Sequence, residues 1–412
     1  MQSPGRLPRY RWAILAIIWM AYLTIYIARV GIGPLAPFLK EAFNLSNAEI
    51  GSLVTATVVG YIPSIIVAGW LVDYIGVRRM LVAGTLISGL SIVAVFFAPS
   101  YQVMFFMLVF TGIGNGCIFP SAVKAVMLWF PKRERATALG FNQASINVAG
   151  VISASLLPTI AIILSWRYGF LLLGFGVLVI CPCCAIIYRN PPQEHLPNGA
   201  GDNPYSVSSK SSNTRLAIVL FKSRDIWMIG LAGLFLAIVE FATMTYLILY
   251  LNEELLFPVV AAGGMLAMTE ASGGIGKPAI GFVSDRLLRG NRRKAFLFMA
   301  SMASVLCLVL GFGGHSLHWV LHPVLILLGT TAIGWGGLFA TQVAELAGTQ
   351  LAGRASGIAS GILLVGVMTG PPLFGYIVDS TGSYQTAWFT MALSGAITVI
   401  LISLVRERKR QI

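Results

Sequence analysis

Twelve long apolar runs dominate this chain, separated by short segments rich in Gly, Pro, Asn and charge. They cover roughly 12–38, 49–73, 79–98, 103–128, 136–161, 166–188, 226–251, 258–284, 295–314, 319–342, 355–378 and 384–405. A helix needs about 20 apolar residues to cross the hydrocarbon core of a bilayer, and every run reaches that length. None alternates with the period of two that marks a membrane β-strand. An open strand would also leave its backbone groups unpaired in lipid. The pattern predicts an all-α membrane protein with twelve transmembrane helices, numbered here as spans 1 to 12.

One stretch interrupts the pattern midway. Residues 190–225 carry Pro191, Pro192, Pro197, Gly199, Gly201 and Pro204 among Asn and Ser, the composition of a flexible linker. It divides the spans six and six, so the expected organisation is an N-terminal unit 1–189, a linker 190–225 and a C-terminal unit 226–412. The end of the linker, Thr214 to Lys222, has room for a short helix on the membrane surface.

Composition supports this reading. Hydrophobic residues make up 57% of the 412 and charged residues only 10%, against roughly 25% charged in soluble domains. The net charge of +13 would suit nucleic acid, but its distribution points to a membrane. Arg78, Arg79, Lys132, Arg133, Arg189, Arg286, Arg289 and the Arg406–Arg410 tail fall on alternate inter-span segments, whereas the opposite segments hold only Lys40 and Arg167. That bias places both termini in the cytoplasm, in a multi-pass protein of the cytoplasmic (plasma) membrane, expected to be a monomer. The basic start followed by an apolar run mimics a signal peptide, yet the run is too long and shows no cleavage site before Arg29, so it reads as span 1. Cys117, Cys181, Cys183, Cys184 and Cys307 all lie within apolar runs and suggest neither a disulfide framework nor a metal site. His315, His318 and His322 cluster between spans 9 and 10 and read as interfacial. No metal, cofactor or nucleic acid is expected.

Two short motifs repeat between the halves. Gly69-Trp70-Leu71-Val72-Asp73 is followed by Arg78 and Arg79; Gly281-Phe282-Val283-Ser284-Asp285-Arg286 is followed by Arg289, Arg292 and Arg293. Arg135-Ala136-Thr137 opens span 5 as Arg354-Ala355-Ser356 opens span 11. The pair resembles the cytoplasmic loop signature of the major facilitator superfamily, between helices 2 and 3 and again between helices 8 and 9. The resemblance covers the chain from Trp12 to Val405. It implies two six-helix bundles around a central substrate cavity, with alternating access between the two sides. Asp73, Arg78, Arg79, Asp285 and Arg286 would then gate rather than bind. Gly112, Gly114 and Gly116 in span 4, and Gly357, Gly361, Gly366 and Gly370 in span 11, offer small faces for close helix packing.

Charges inside a span are costly and therefore informative. Arg29, Lys124, Glu240, Glu270, Lys277 and Glu345 qualify. Arg29, deep in span 1, either meets a substrate carboxylate through its planar fork or pairs with an acid of the bundle. Lys124, towards the end of span 4, either faces a cavity or snorkels to the interface. Glu240 in span 7 is either a proton carrier or the fixed partner of a cation. Glu270 and Lys277, seven residues apart on span 8, share a helix face. Glu345 stands near Arg354. Tyr22, Tyr26, Asn115, Asn142, Gln143, Asn147, Tyr246, Trp335 and Gln342 are the polar and aromatic cavity candidates.

Tyr26-Ile27-Ala28-Arg29, Phe119-Pro120, Trp129-Phe130-Pro131 and Arg133-Glu134-Arg135-Ala136 resemble, more narrowly, the anion:cation symporter family, which moves organic anions such as sugar acids. The resemblance implies that Tyr26 and Arg29 line the anion site. Ala28 and Asn115 stand where proton-coupled relatives often carry Asp and Glu, so coupling by proton, or by sodium, falls to another acid, with Glu240 first and Glu270 second. The expected function is secondary transport of a small organic carboxylate by proton symport. The alternative is a proton-antiport exporter of drugs or metabolites; span 5 lacks the Gly-Pro motif such exporters carry. No phosphate-binding loop or nucleophile elbow points to an enzyme.

Overall fold

The break in the first apolar run shows how this sequence shapes its helices. Pro34 has no N–H to donate to the carbonyl four residues earlier, and the run divides beside Gly31 into α1 (Leu7–Val30) and α2 (Ile32–Phe43). The computed structural model describes residues 7–131, 134–190, 223–313, 319–347 and 351–405. Among them every regular element is helical: α3 (Asn47–Ile75), α4 (Val77–Phe96), α5 (Tyr101–Trp129), α6 (Arg135–Ile163), α7 (Trp166–Ile187), α8 (Arg224–Leu249), α9 (Val259–Phe282), α10 (Arg292–Gly313), α11 (Leu321–Leu328), α12 (Gly336–Ala347), α13 (Ala352–Thr381) and α14 (Tyr384–Ser403). Single π-turns extend α8 over Tyr250–Glu254, extend α9 over Val283–Leu287 and follow α11 over Gly329–Ile333.

These helices answer to the twelve runs, with α1 and α2 forming the first and α11 and α12 the tenth. Eleven are long and apolar enough to cross a membrane. The remaining one, α9, is 24 residues long and is diluted by Gly, Glu270 and Lys277. Large apolar side chains such as Ile66, Ile163 and Phe312 are exposed, as a surface bathed in lipid requires. The linker with its Thr214–Lys222 segment, and His315 and His318, lie outside the described residues.

The helix ends are set by short-range chemistry. Ser46 and Glu49 form a reciprocal box at the start of α3: Ser46 N donates to Glu49 Oε2 (2.9 Å) and Glu49 N to Ser46 Oγ (3.2 Å), which satisfies two otherwise orphaned donors. Gly76 joins α3 to α4 at φ 85°, a backbone setting that a residue with a Cβ resists.

The chain forms two compact units, Met1–Phe43 with Ala56–Ser206, and Asn44–Thr55 with Val207–Ile412. In the first, α1 packs on α6 and α7, and α4 on α5 and α7. Glycine lets α5 lie directly on α3: a methyl at Gly112 would overlap the Thr57 carbonyl, and one at Gly60 the Val109 carbonyl. In the second, α13 packs on α8 and α10 on α14, with Gly366 against the Leu234 carbonyl. The residues Asn44–Thr55 belong to this second unit through α13. The Asp379 carboxylate accepts from Asn47 N (2.9 Å), Asn47 Nδ2 (2.7 Å) and Ala48 N (2.8 Å), and Thr55 Oγ1 donates to the Met368 carbonyl (2.6 Å).

Candidate functional site

On α1, Tyr22, Tyr26 and Arg29 follow one another at spacings of four and three, so the helix presents them on one face. The Tyr22 and Tyr26 rings stack 5.3 Å apart at 14°. Arg29 is 6% exposed. Its Nη1 donates to Tyr26 Oη at 3.2 Å, and its Cζ lies 5.3 Å from the Tyr26 ring centre and 5.2 Å from that of Tyr61 on α3. Cation–π contact offsets part of the lost hydration, but a buried charge normally has a counter-ion. Among the described residues Arg29 has no carboxylate partner; rings and one phenol surround it. Tyr22 Oη beside it is buried and has no hydrogen-bond partner. Leu23 and Ile27 pack with Ala149 of α6, with Tyr26 and Ile152 against them, which fixes the face of α1 that holds the tyrosines.

The remaining candidates of the first unit divide. Asn115 and Asn142 are buried, Asn142 with its Oδ1 unsatisfied, and Asn147 is buried too. Gln143 is exposed. Lys124 is held at the end of α3, where its Nζ donates to Asp73 Oδ1 (2.7 Å) and the Val72 carbonyl (3.0 Å). Lys124 therefore joins the Asp73 motif rather than the tyrosine–arginine cluster. Arg78 and Arg79 are exposed.

The second unit carries its own charged groups. Glu240 on α8 is half-buried, and its Oε2 accepts from Trp335 Nε1 at 3.0 Å. Glu270 and Lys277 come from α9; Glu270 is 2% exposed and its Oε2 has no hydrogen-bond partner. Lys277 lies within electrostatic reach of both acids. Tyr246 is turned to packing: it stacks on Phe374 at 4.7 Å and donates to the Asn47 carbonyl. Gln342 is buried with an unsatisfied Oε1.

At the end of α9 the second motif closes around Arg292. Its Nη1 meets Asp285 Oδ1 (2.5 Å) and donates to Ser284 Oγ (3.1 Å), and its Nε reaches Glu345 Oε1 (3.3 Å). Glu345 thus pairs with Arg292; the side chain of Arg354, its expected neighbour, lies outside the described residues. Arg286 lies over the Phe282 ring.

Two contributors escaped the sequence reading, and a third, Arg292, was read only as part of the basic motif. Tyr61 stands in the apolar run Val58-Val59-Gly60-Tyr61-Ile62, where a tyrosine reads equally as packing. Asp379 closes the apolar run of span 11, where an acid reads as a loop residue. Arg292 is one of several loop cations, and only the fold shows that it joins two acids.

The family model of the Major Facilitator Superfamily matches residues 18–363. The chain belongs to the major facilitator superfamily. It is a membrane transporter and not an enzyme. A probable sulfoacetate transporter of Cupriavidus necator is 27% identical and aligns over 94% of this chain and 91% of that protein. The hexuronate transporter of Bacillus subtilis is 24% identical over 97% and 93%, and the D-galactonate transporter of Escherichia coli 25% identical over 97% and 96%. Among solved structures, a bacterial homologue of the human lysosomal transporter Spinster, inward-facing and unoccupied, has a TM-score of 0.78 at 17% identity, covering 98% of this chain and 96% of that one. A D-xylose–proton symporter also has a TM-score of 0.78, at 15% identity, over 96% and 97%. These two likenesses concern the superfamily fold alone.

Proposed function

We propose that this protein carries a small organic carboxylate across the cytoplasmic membrane by proton-coupled symport, with Arg29 holding the carboxylate and Tyr26 and Tyr22 shaping its site. One observation carries the proposal: a buried guanidinium whose neighbours are aromatic rings and a phenol, with no acid beside it among the described residues. An uncompensated charge at that depth costs several kcal/mol, and a carboxylate ligand removes that cost while filling the planar fork. Relatives named for sulfoacetate, hexuronate and galactonate transport support an anionic substrate. Asn115, Asn142 and Asn147 supply amides for hydroxyl groups. Coupling falls to the acids of α8 and α9. Asp73 with Lys124, and Asp285 with Arg292, act at the gates between inward- and outward-open states, and both termini face the cytoplasm.

The test is uptake into proteoliposomes across a panel of organic acids, sulfoacetate, hexuronates and galactonate among them, with imposed pH and sodium gradients. Concentrative uptake of one acid, driven by an inward proton gradient and lost in Arg29→Ala, supports the proposal. Undiminished uptake by a correctly folded Arg29→Ala overturns the anion site, and drug export driven by inward proton flow overturns the substrate class.

A further inference from the structure

Two carboxylates and one ammonium share a small region of the second unit, and their surroundings differ sharply. Glu240 is half-buried and receives the Trp335 indole N–H at 3.0 Å. Glu270 is almost wholly buried and one of its oxygens receives nothing. Lys277 sits within electrostatic reach of both, and Glu240 within reach of Glu270. With all three ionised the group carries one excess negative charge, in a place where an unpaired charge is severely penalised. One proton removes it. Glu240 already has a donor, so ionisation suits it; Glu270 has an idle oxygen, so the proton suits that.

We propose that Glu270 is an exchangeable proton site, and that Glu240, anchored by Trp335 and balanced by Lys277, stays ionised beside it. This deepens the reading of a proton-coupled symporter, rests on it for its physiological meaning, and reverses the order of the two acids expected from the sequence. The step is a bare protonation: the Glu270 carboxylate takes a proton from water on one side and returns it to water on the other, with no other bond made or broken.

The other titratable groups on elements packed against α9 are not among the charges that act on Glu270, which are those of Glu240 and Lys277. Asp285 and Glu345 are taken by Arg292, and Arg286 lies over Phe282. Glu253 accepts from Tyr384 Oη at 2.8 Å. Glu254 ends the π-turn after α8, and His322 lies in the first turn of α11. Two acids and one lysine therefore set the charge at Glu270.

Infrared difference spectroscopy of the purified protein in lipid nanodiscs, with no substrate present, reads the site directly. Raising the pH should remove one protonated-carboxyl C=O band, sensitive to H/D exchange. Glu270→Gln should abolish that band and Glu240→Gln should retain it, at a position shifted by loss of the neighbouring charge. Lys277→Met should about double the band at the pH where wild type shows it, because both acids then need a proton. Glu270→Asp keeps a titrating carboxyl and covers the case in which Glu270→Gln folds poorly. A band that survives Glu270→Gln and vanishes in Glu240→Gln overturns the proposal, as does a carboxyl band that never titrates. Failure of the symport reading looks different: wild-type vesicles would then ignore a pH gradient while the band still titrates.

Discussion

Arg29 illustrates what one side chain can decide. Its charge is buried, its fork meets no acid among the described residues, and its neighbours Tyr26 and Tyr61 present ring faces. Arg29→Lys keeps the charge but loses the two parallel N–H donors and the flat surface that stacks on the tyrosines. It should weaken substrate binding by about tenfold to a hundredfold, measured by isothermal titration with the acid the uptake screen identifies; unchanged affinity would place the carboxylate elsewhere. Arg29 and Glu240 stood out in the chain as candidates, because a charge inside an apolar run has no cheap explanation. Tyr61 was not, because a tyrosine in a span is equally at home in packing. Lys124 was open between two readings, and only its contact with Asp73 joined it to the motif.

At the scale of elements, the start of α3 gathers three devices within a few residues. Ser46 and Glu49 cap it from within, and Asp379 caps it from α13, its negative charge lying at the positive end of the helix dipole. Ser46→Ala should cost about 1 kcal/mol, and Asp379→Asn should cost more than Ser46→Ala because three donors lose a charged acceptor. Thermal unfolding in detergent reads both, and an Asp379→Asn protein as stable as wild type would show the contact to be idle. The α3–α5 contact is governed by size. Gly112→Val places side-chain atoms against the Thr57 carbonyl and should destabilise by about 1–3 kcal/mol, seen as a lower unfolding temperature.

At the scale of the molecule, the motif residues make a contrast. The Asp73–Lys124 pair is partly exposed, and such a pair contributes at most about 1 kcal/mol to stability. Its role in transport should therefore be kinetic. Asp73→Asn should lower the uptake rate several-fold while leaving substrate affinity and melting behaviour near wild type, and the charge swap Asp73→Lys with Lys124→Asp should restore part of the rate. A swap as slow as either single variant would remove the pair from the gate. A Cβ at Gly69 or at Gly281 would meet no atom within 4 Å, so packing in this conformation does not require glycine there. If those faces close in another state of the cycle, Gly69→Leu should leave stability within about 0.5 kcal/mol and still abolish uptake. Wild-type uptake by Gly69→Leu would show that this face never closes.

The sequence alone determined the class of the protein. Lipid admits only segments whose backbone hydrogen bonds are internal, so runs of apolar residues dictate helices, and the cost of burying charge in them marks Arg29, Glu240 and Glu270 before any helix is placed. The Ser46–Glu49 box and the break at Pro34, which the structure shows, are also local in cause, since each depends on residues within four positions. What tertiary structure decided is which groups meet. Lys124 with Asp73, Arg292 with Glu345, Asp379 on the first turn of α3, and Trp335 on Glu240 join residues 51 to 332 positions apart. No periodicity encodes such pairings, because they follow from how whole helices pack, and a side chain's charge balance depends on its spatial neighbours rather than on its neighbours in the chain.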